Sequence, residues 1–156
     1  MKFSTLIYLY LVSCLAFLFT LPSAKAQSLR QPLDYYELKS LLSKHQNAVS
    51  SIVGLKRFSL ASQKERQEST IYVYKKDNDT TQLWVRFRKS DGLANEVAWH
   101  EASATLGSLK YDAVHDGFVP VNGNSQYHHR FQNLSLLVGY MLAEDKTVPC
   151  VMRSVD

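Results

Sequence analysis

Three short polar blocks hold the residue types best suited to acid–base chemistry: His100-Glu101, His115-Asp116 and His128-His129-Arg130. An imidazole titrates near neutrality and can give or take a proton, a carboxylate can act as a base, and a guanidinium can hold an anion. Together these groups would suit cleavage of a phosphodiester or an ester. The candidate catalytic residues of such a hydrolase are His100, Glu101, His128, His129 and Arg130.

Strand geometry limits this hypothesis. Adjacent residues on a strand point to opposite faces, so His100 and Glu101 cannot both serve one strand-borne site, and the same holds for His128 and His129. One face could still combine Glu101 with either His128 or His129, but the sequence does not give the strand order. The commoner explanation for polar residues on strands is a solvated surface.

The chain lacks the motifs that are characteristic of metal, nucleotide and serine-nucleophile sites. It contains no His-Glu-x-x-His pair, no paired-cysteine motif, no Gly-x-Gly-x-x-Gly or phosphate loop, and no Gly-x-Ser-x-Gly elbow. These patterns supply the ligand spacing or backbone geometry that zinc, nucleotides and serine nucleophiles need. We therefore expect neither a metal nor a cofactor.

A second candidate surface lies on a predicted hairpin. Residues 68–76 and 81–89 alternate in type and flank the turn-forming cluster 77–80. If Val73 lies opposite Val85, then Ile71 lies opposite Phe87 and the four share an apolar face. The other face then holds the candidate binding residues, Tyr72, Tyr74, Trp84, Arg86 and Arg88. Tyr, Trp and Arg supply most protein-binding hot spots. The alternative is that another element covers these aromatic side chains and they build the core.

A helix is predicted over residues 34–53. Asp34 and Glu37 form a capping-box pattern at its start, and Gly54 provides a stop. Apolar residues follow at helical spacing at Leu38, Leu41, Leu42, Val49 and Ile52.

Strands are predicted for most of the remaining chain. Residues 93–106 favour a strand at their centre over a short helix, and short strands are predicted at 109–115, 118–121 and 126–133. Residues 134–143 and 147–153 suggest a closing hairpin, although 134–143 also fit helical spacing. The expected fold is α+β, with an N-terminal amphipathic helix packed on a mainly antiparallel meander sheet of about five or six strands.

The first 26 residues have the pattern of a cleaved signal peptide. Lys2 is followed by a nearly continuous apolar run over residues 3–21, and Ala24-Lys25-Ala26 is a typical cleavage site. Residues 27–156 then form a single α+β domain that works in the periplasm or outside the cell. Lipidation at Cys14 is an alternative. The apolar run is barely long enough to cross a bilayer, so we expect no membrane span in the mature chain.

Charge and cysteine content restrict the function further. Loss of Lys2 and Lys25 lowers the net charge from +4 to +2, which is too mild to indicate nucleic-acid binding. Cys150 is the one cysteine of the mature chain, so an intramolecular disulfide is impossible, and its apolar neighbours predict burial.

We therefore expect an exported binding domain whose partner is another exported protein, as for an inhibitor or an immunity-type protein. The alternatives are the small cofactor-independent hydrolase, nuclease-like or esterase-like, and a domain with a cavity for a small ligand.

Overall fold

The computed structural model describes residues 33–123, 125–141 and 146–155, without the side chain of Asn122. The predicted signal peptide and Cys14 lie outside these residues. The described helices are α1 (Tyr35–Leu41), α2 (Gln46–Leu55) and α3 (Leu106–Asp116). The described strands are β1 (Phe58–Glu65), β2 (Ser69–Lys76), β3 (Gln82–Arg88), β4 (Ala94–Ala102), β5 (Phe118–Asn122), β6 (Gln126–His129), β7 (Leu134–Val138) and β8 (Thr147–Ser154).

The strands form one antiparallel sheet in the order β1-β2-β3-β4-β8-β7-β6-β5. Two four-stranded meanders, each preceded by helix, meet where their last strands, β4 and β8, pair at the centre. The α+β class and the antiparallel sheet are thus confirmed. The eight described strands exceed the five or six expected, partly because β1 was missed. Seven of its eight residues are exposed, so it has no alternating apolar signal.

The helical segment begins as predicted but is not continuous. Asp34 Oδ1 accepts the Glu37 N–H at 2.8 Å, and Glu37 Oε2 accepts the Asp34 N–H at 3.0 Å, which completes the capping box. The chain then leaves the helix at Leu42, and the backbones of Ser43 and Lys44 hydrogen-bond to Ala94 at the start of β4. These tertiary hydrogen bonds replace the intrahelical ones, so the single helix predicted over 34–53 is wrong.

Most strand predictions are confirmed, with one exception. Residues 109–115 belong to helix α3, so the strand predicted there is wrong. This helix ends at Gly117, whose φ of 109° a residue with a Cβ rarely adopts. The centre of 93–106 is strand β4, and β7 pairs with β8 as the predicted closing hairpin.

All three helices contact the same face of the sheet. Ser50 of α2 lies 2.9 Å from the hydroxyl of Tyr74, Tyr35 of α1 packs edge-on against Phe118, and Thr105 before α3 bonds to Glu101. We call this the covered face. Its central strands supply a fully buried group, Val85, Val97, Leu136, Cys150 and Met152. Within the described part of the chain no helix packs on the opposite side, which we call the open face.

Candidate functional site

The pairing of β2 with β3 determines which side chains share the open face. Val73 lies opposite Trp84 and Tyr72 lies opposite Val85, so the predicted pairing of Val73 with Val85 is wrong by one residue. The four-residue loop 77–80 sets this register: it closes on the hydrogen bond from Lys76 N to Thr81 O, with Asn78 left-handed at φ 57°. Because side chains alternate, a slip of one residue exchanges the faces of β2 relative to β3.

The two tyrosines of the predicted binding set therefore lie on the covered face. Tyr74 is 1% exposed and its hydroxyl contacts Ser50, and burial raises the pKa of the Tyr74 phenol. Tyr72 packs edge-to-face against Phe87 with ring centroids 5.2 Å apart. Both rings help to build the core, as the alternative interpretation of these aromatics expected.

The other three members of the set, Trp84, Arg86 and Arg88, lie on the open face. Trp84 belongs to a row of apolar side chains that are direct cross-strand neighbours on five adjacent strands. We call it the apolar row: Val73, Trp84, Ala98, Val151 and Leu137. Strands lie about 4.8 Å apart, so the row is about 19 Å long. Each member is half-buried, although no described helix covers it.

Charged side chains border the apolar row on one side. Arg86 Nη2 lies 3.1 Å from Glu96 Oε1, and Arg153 Nε donates to Ser135 Oγ at 3.3 Å. Further along β3, Arg88 pairs with Asp91, with Nη2 and Oδ2 2.6 Å apart. The guanidinium groups thus stand beside the row, held by contacts that leave Arg86 41% exposed.

The opposite border of the row is mostly polar and carries one strand cation, Lys75. His100 is exposed, and its ring centroid lies 5.5 Å from that of Trp84. The two rings line a shallow depression together with Thr80, Thr81, Gln82 and Thr147. Trp84 therefore offers both an apolar surface and polar neighbours to an incoming molecule.

A β-bulge opens the sheet beside Arg86. Arg86 pairs with Glu96 and Phe87 with Ala94, so Asn95 is left without a partner on β3. Among the described residues, Arg86 Nε and Asn95 Oδ1 are buried and have no hydrogen-bond partner. Both residues line two neighbouring depressions, one extending towards Arg88 and the other towards Arg153. Buried polar atoms without a hydrogen-bond partner are rare in folded proteins. The two atoms therefore make the bulge at Arg86 and Asn95 a candidate contact point on the open face.

Glu101 lies on the covered face, where its carboxylate is held by hydrogen bonds that stabilise the fold. It is 1% exposed, accepts the Trp99 indole N–H at 3.0 Å, and accepts the Thr105 hydroxyl. Thr105 is the residue immediately before α3. The carboxylate therefore joins β4 to the start of that helix.

The histidine candidates are dispersed rather than gathered around Glu101. His128 lies on the open face, where its Nε2 is 2.9 Å from the Gln126 amide nitrogen. His128 pairs with Ser135 on β7, which pairs with Arg153 on β8, whereas Glu101 pairs with Val148 on β8. These two positions are five residues apart along β8, or about 17 Å, and the side chains lie on opposite faces.

His129 lies on the covered face with 4% of its side chain exposed. Its Nδ1 accepts the backbone N–H groups of Phe131 and Gln132, both at 3.1 Å, so it organises the chain after β6. Arg130 is exposed beyond the end of that strand, and His100 is on the open face. The structure therefore does not bring the five candidate catalytic residues into one site.

Asp116, from the second polar block, lies at the end of α3 and contacts side chains of α1 and β6. Its Oδ2 accepts hydrogen bonds from the Tyr35 hydroxyl at 2.6 Å and from the Lys39 ammonium, and lies 3.9 Å from His129 Nε2. Partial burial disfavours its charge, but the hydrogen bonds from Lys39 and Tyr35 outweigh that effect and lower its pKa. No local sequence pattern indicates this cluster, because Tyr35 is 81 residues away from Asp116.

Cys150 is fully buried, as predicted. Burial, reinforced by the nearby charge of Glu101, raises the pKa of its thiol to about 12. A thiol so protected is poorly suited to nucleophilic chemistry at neutral pH.

The space between α1 and the sheet is small. It is lined by side chains that include Leu38, Phe58, Trp99 and Glu101, and its volume of about 20 Å³ suits one water molecule. Among the described residues no group of three or more His, Cys, Asp or Glu side chains could hold a metal ion. In the same residues, no helix has the length and apolar character required to span a membrane.

Comparisons with known proteins leave the site to be interpreted from its own geometry. No protein-family model matches the chain, no curated protein matches it, and no solved structure matches it.

Proposed function

We propose that this protein is an exported binding module that recognises another protein through the open face of its sheet. The export part of the proposal rests on the signal-peptide pattern of residues 1–26. The binding part rests on the open face. An inhibitor or an immunity-type protein would act in this way, by covering a surface of its partner without chemistry of its own.

The apolar row carries this proposal. When one face of an antiparallel sheet packs on the core, the other is normally polar where it meets water. Here five adjacent strands instead place Val73, Trp84, Ala98, Val151 and Leu137 side by side on the uncovered face. Contiguous apolar groups with a polar border are typical of protein-interaction sites.

The side chains beside the row have the chemistry of a protein-binding centre. Trp and Arg are enriched among the residues that dominate binding energy. Trp84 is half-buried by its neighbours and therefore loses little side-chain freedom when a partner packs on it. Arg86, next along β3 on the same face, can pair with a partner's carboxylate or carbonyl group.

Site-specific photo-crosslinking tests this proposal. A photoreactive phenylalanine analogue replaces Ala98, in the middle of the row, and in a control variant it replaces Tyr111, an exposed residue of α3. Each protein is irradiated with the exported proteins of its native cell. We expect a discrete adduct from position 98 that Trp84→Ala reduces at least about fivefold, because the tryptophan anchors the partner.

Thermal unfolding of the Trp84→Ala protein accompanies this experiment, since the variant must remain folded for the comparison to hold. Equal adducts from positions 98 and 111, or an adduct from position 98 that does not depend on Trp84, would refute the proposal.

A further inference from the structure

We infer that the partner presents a protruding segment in which acidic side chains flank apolar ones. This inference rests on the proposed function and names the chemistry of the partner. It follows from three properties of the open face: its charge, the relative length of its side chains, and the unpaired atoms at the bulge.

Cations are concentrated on the open face. The register of the described strands places five cationic side chains there against one strand carboxylate, Glu96, and the loop carboxylate of Asp91 pairs with Arg88; the cations are Lys64, Lys75, Arg86, Arg88 and Arg153. The whole chain is far more balanced, with 18 Lys and Arg against 14 Asp and Glu. The imbalance is therefore local to this face, and complementary charge favours an acidic partner.

The apolar row is the floor of this cationic surface. Ala98 and Val151 at its centre are short, whereas Arg86 and Arg153 on one side and Lys75 on the other are long. A floor about 19 Å long, bordered on one side by long charged side chains, fits a ridge or an extended segment that inserts apolar groups. A planar bilayer would meet the charged tips first and leave the row in contact with water.

A nucleic acid fits the same surface less well. Its phosphates would match the cations, but sequence-tolerant binding of single strands depends on successive aromatic platforms for the bases. Trp84 is the one aromatic member of the apolar row, and its neighbours Val73 and Ala98 are aliphatic. Aliphatic groups gain most from burial against apolar side chains of a protein.

The bulge identifies Arg86 as the point of charge recognition. Its Nη2 pairs with Glu96, while its buried Nε has no partner among the described residues, and the Oδ1 of Asn95 is also unpaired. If the side chain turns so that Nε reaches the surface, Nε and an Nη group can bind a partner carboxylate together, in the two-bond geometry that arginine favours. Binding would then satisfy a donor that the free protein leaves without a partner.

Selection from a phage-displayed library of random 12-residue peptides on the purified protein tests the inference. The enriched peptides should carry net negative charge and at least one aromatic or large aliphatic residue. Their affinity is then measured against Trp84→Ala and against the double variant Arg86→Glu with Arg153→Glu. We expect losses of at least about fivefold and about tenfold, respectively, and weaker binding of the parent protein at high salt.

The matched control is Arg57→Glu with Arg130→Glu. Both arginines are exposed and lie outside the strands, so this double variant has the same net charge as the first but an intact open face. It should bind the enriched peptides within about twofold of the parent. Circular dichroism confirms that each variant is folded.

The outcomes separate this inference from the proposed function. Enriched peptides that are neutral or basic yet require Trp84 would refute the inference of an acidic partner and would still support binding through the open face. Peptides whose affinity changes with neither the Trp84 nor the Arg86 substitution, or no enrichment at all, would count against the inference and the proposed function alike. Tighter binding of a 20-nucleotide single strand or of phosphatidylglycerol vesicles, dependent on Trp84 and Arg86, would replace the protein partner with that ligand.

Discussion

Both faces of the sheet carry large apolar side chains, but in different surroundings. On β7, Leu136 is fully buried beneath the helices, while its neighbour Leu137 belongs to the apolar row and is half-buried. On β3, Val85 is likewise fully buried, while its neighbour Trp84 is half-buried. In these pairs the residue type does not say which side chain is buried. The covering helices do, and the comparison separates residues that stabilise the fold from residues that stay partly exposed.

Replacement of each of the adjacent leucines of β7 should give the largest difference between the two faces. Leu136→Ala should lower the free energy of unfolding by about 2–5 kcal/mol, because it leaves a cavity in the packed core. Leu137→Ala should cost less than about 1 kcal/mol, because solvent already reaches that side chain. Urea unfolding of both variants measures the difference. Equal losses would mean that the open face is also covered.

A second substitution addresses the buried carboxylate of the covered face. Glu101→Ala should lower the free energy of unfolding by about 3 kcal/mol, because the Trp99 indole N–H loses its acceptor and the Thr105 hydroxyl keeps only the Ala102 carbonyl. Glu101→Gln keeps the size and one acceptor oxygen and should cost about 1 kcal/mol. Urea unfolding monitored by tryptophan fluorescence reports both values. A neutral effect of Glu101→Ala would show that Glu101 does not join β4 to α3.

A smaller effect than at Leu136 or Glu101→Ala is expected at Asp116, and it depends on pH. Its folded-state pKa lies below its ordinary value, so its charge stabilises the fold above the unfolded pKa of about 4, and this contribution disappears as pH falls through the folded pKa. Asp116→Asn should therefore cost about 1–2 kcal/mol at pH 7 and progressively less below about pH 4. Thermal unfolding at pH 7 and pH 3 measures both differences.

Lys39→Met provides the matched comparison for Asp116, since it removes the hydrogen-bonding ammonium and keeps an apolar stem. It should reduce the same pH-dependent contribution. A cost for Asp116→Asn that does not change between pH 7 and pH 3 would contradict the role given to its charge.

Local signals predicted the parts of the fold that are formed locally. The capping box at Asp34 and Glu37, the hairpin of β2 and β3, and the closing pair of β7 and β8 all involve residues close in sequence. The helix break after Leu41 could not be predicted in this way, because hydrogen bonds to Ala94 cause it. The strand predicted at 109–115 was wrong for a similar reason: tertiary packing favours a helix there, which buries Leu109 and Ala113, four positions apart, in the core.

The candidate binding surface was predicted in part. The sequence identified Trp84, Arg86 and Arg88 through their alternation on β3, but it assigned Tyr72 and Tyr74 to the same face. Ala98, Val151 and Leu137 were missed, because they join the surface only through strands far away in sequence. No local pattern distinguishes such residues from ordinary strand positions.

The sequence alone determined where the chain turns, where the first described helix is capped and which residues of each strand share a face, because these properties depend on neighbours a few positions apart. The tertiary structure decided which of the two faces is covered. Both faces of β2 carry large apolar or aromatic side chains, so a one-residue slip against β3 exchanges them without violating any local preference. The loop 77–80 and the packing of the helices make that choice, and with it they leave Trp84 and its neighbours open to a partner.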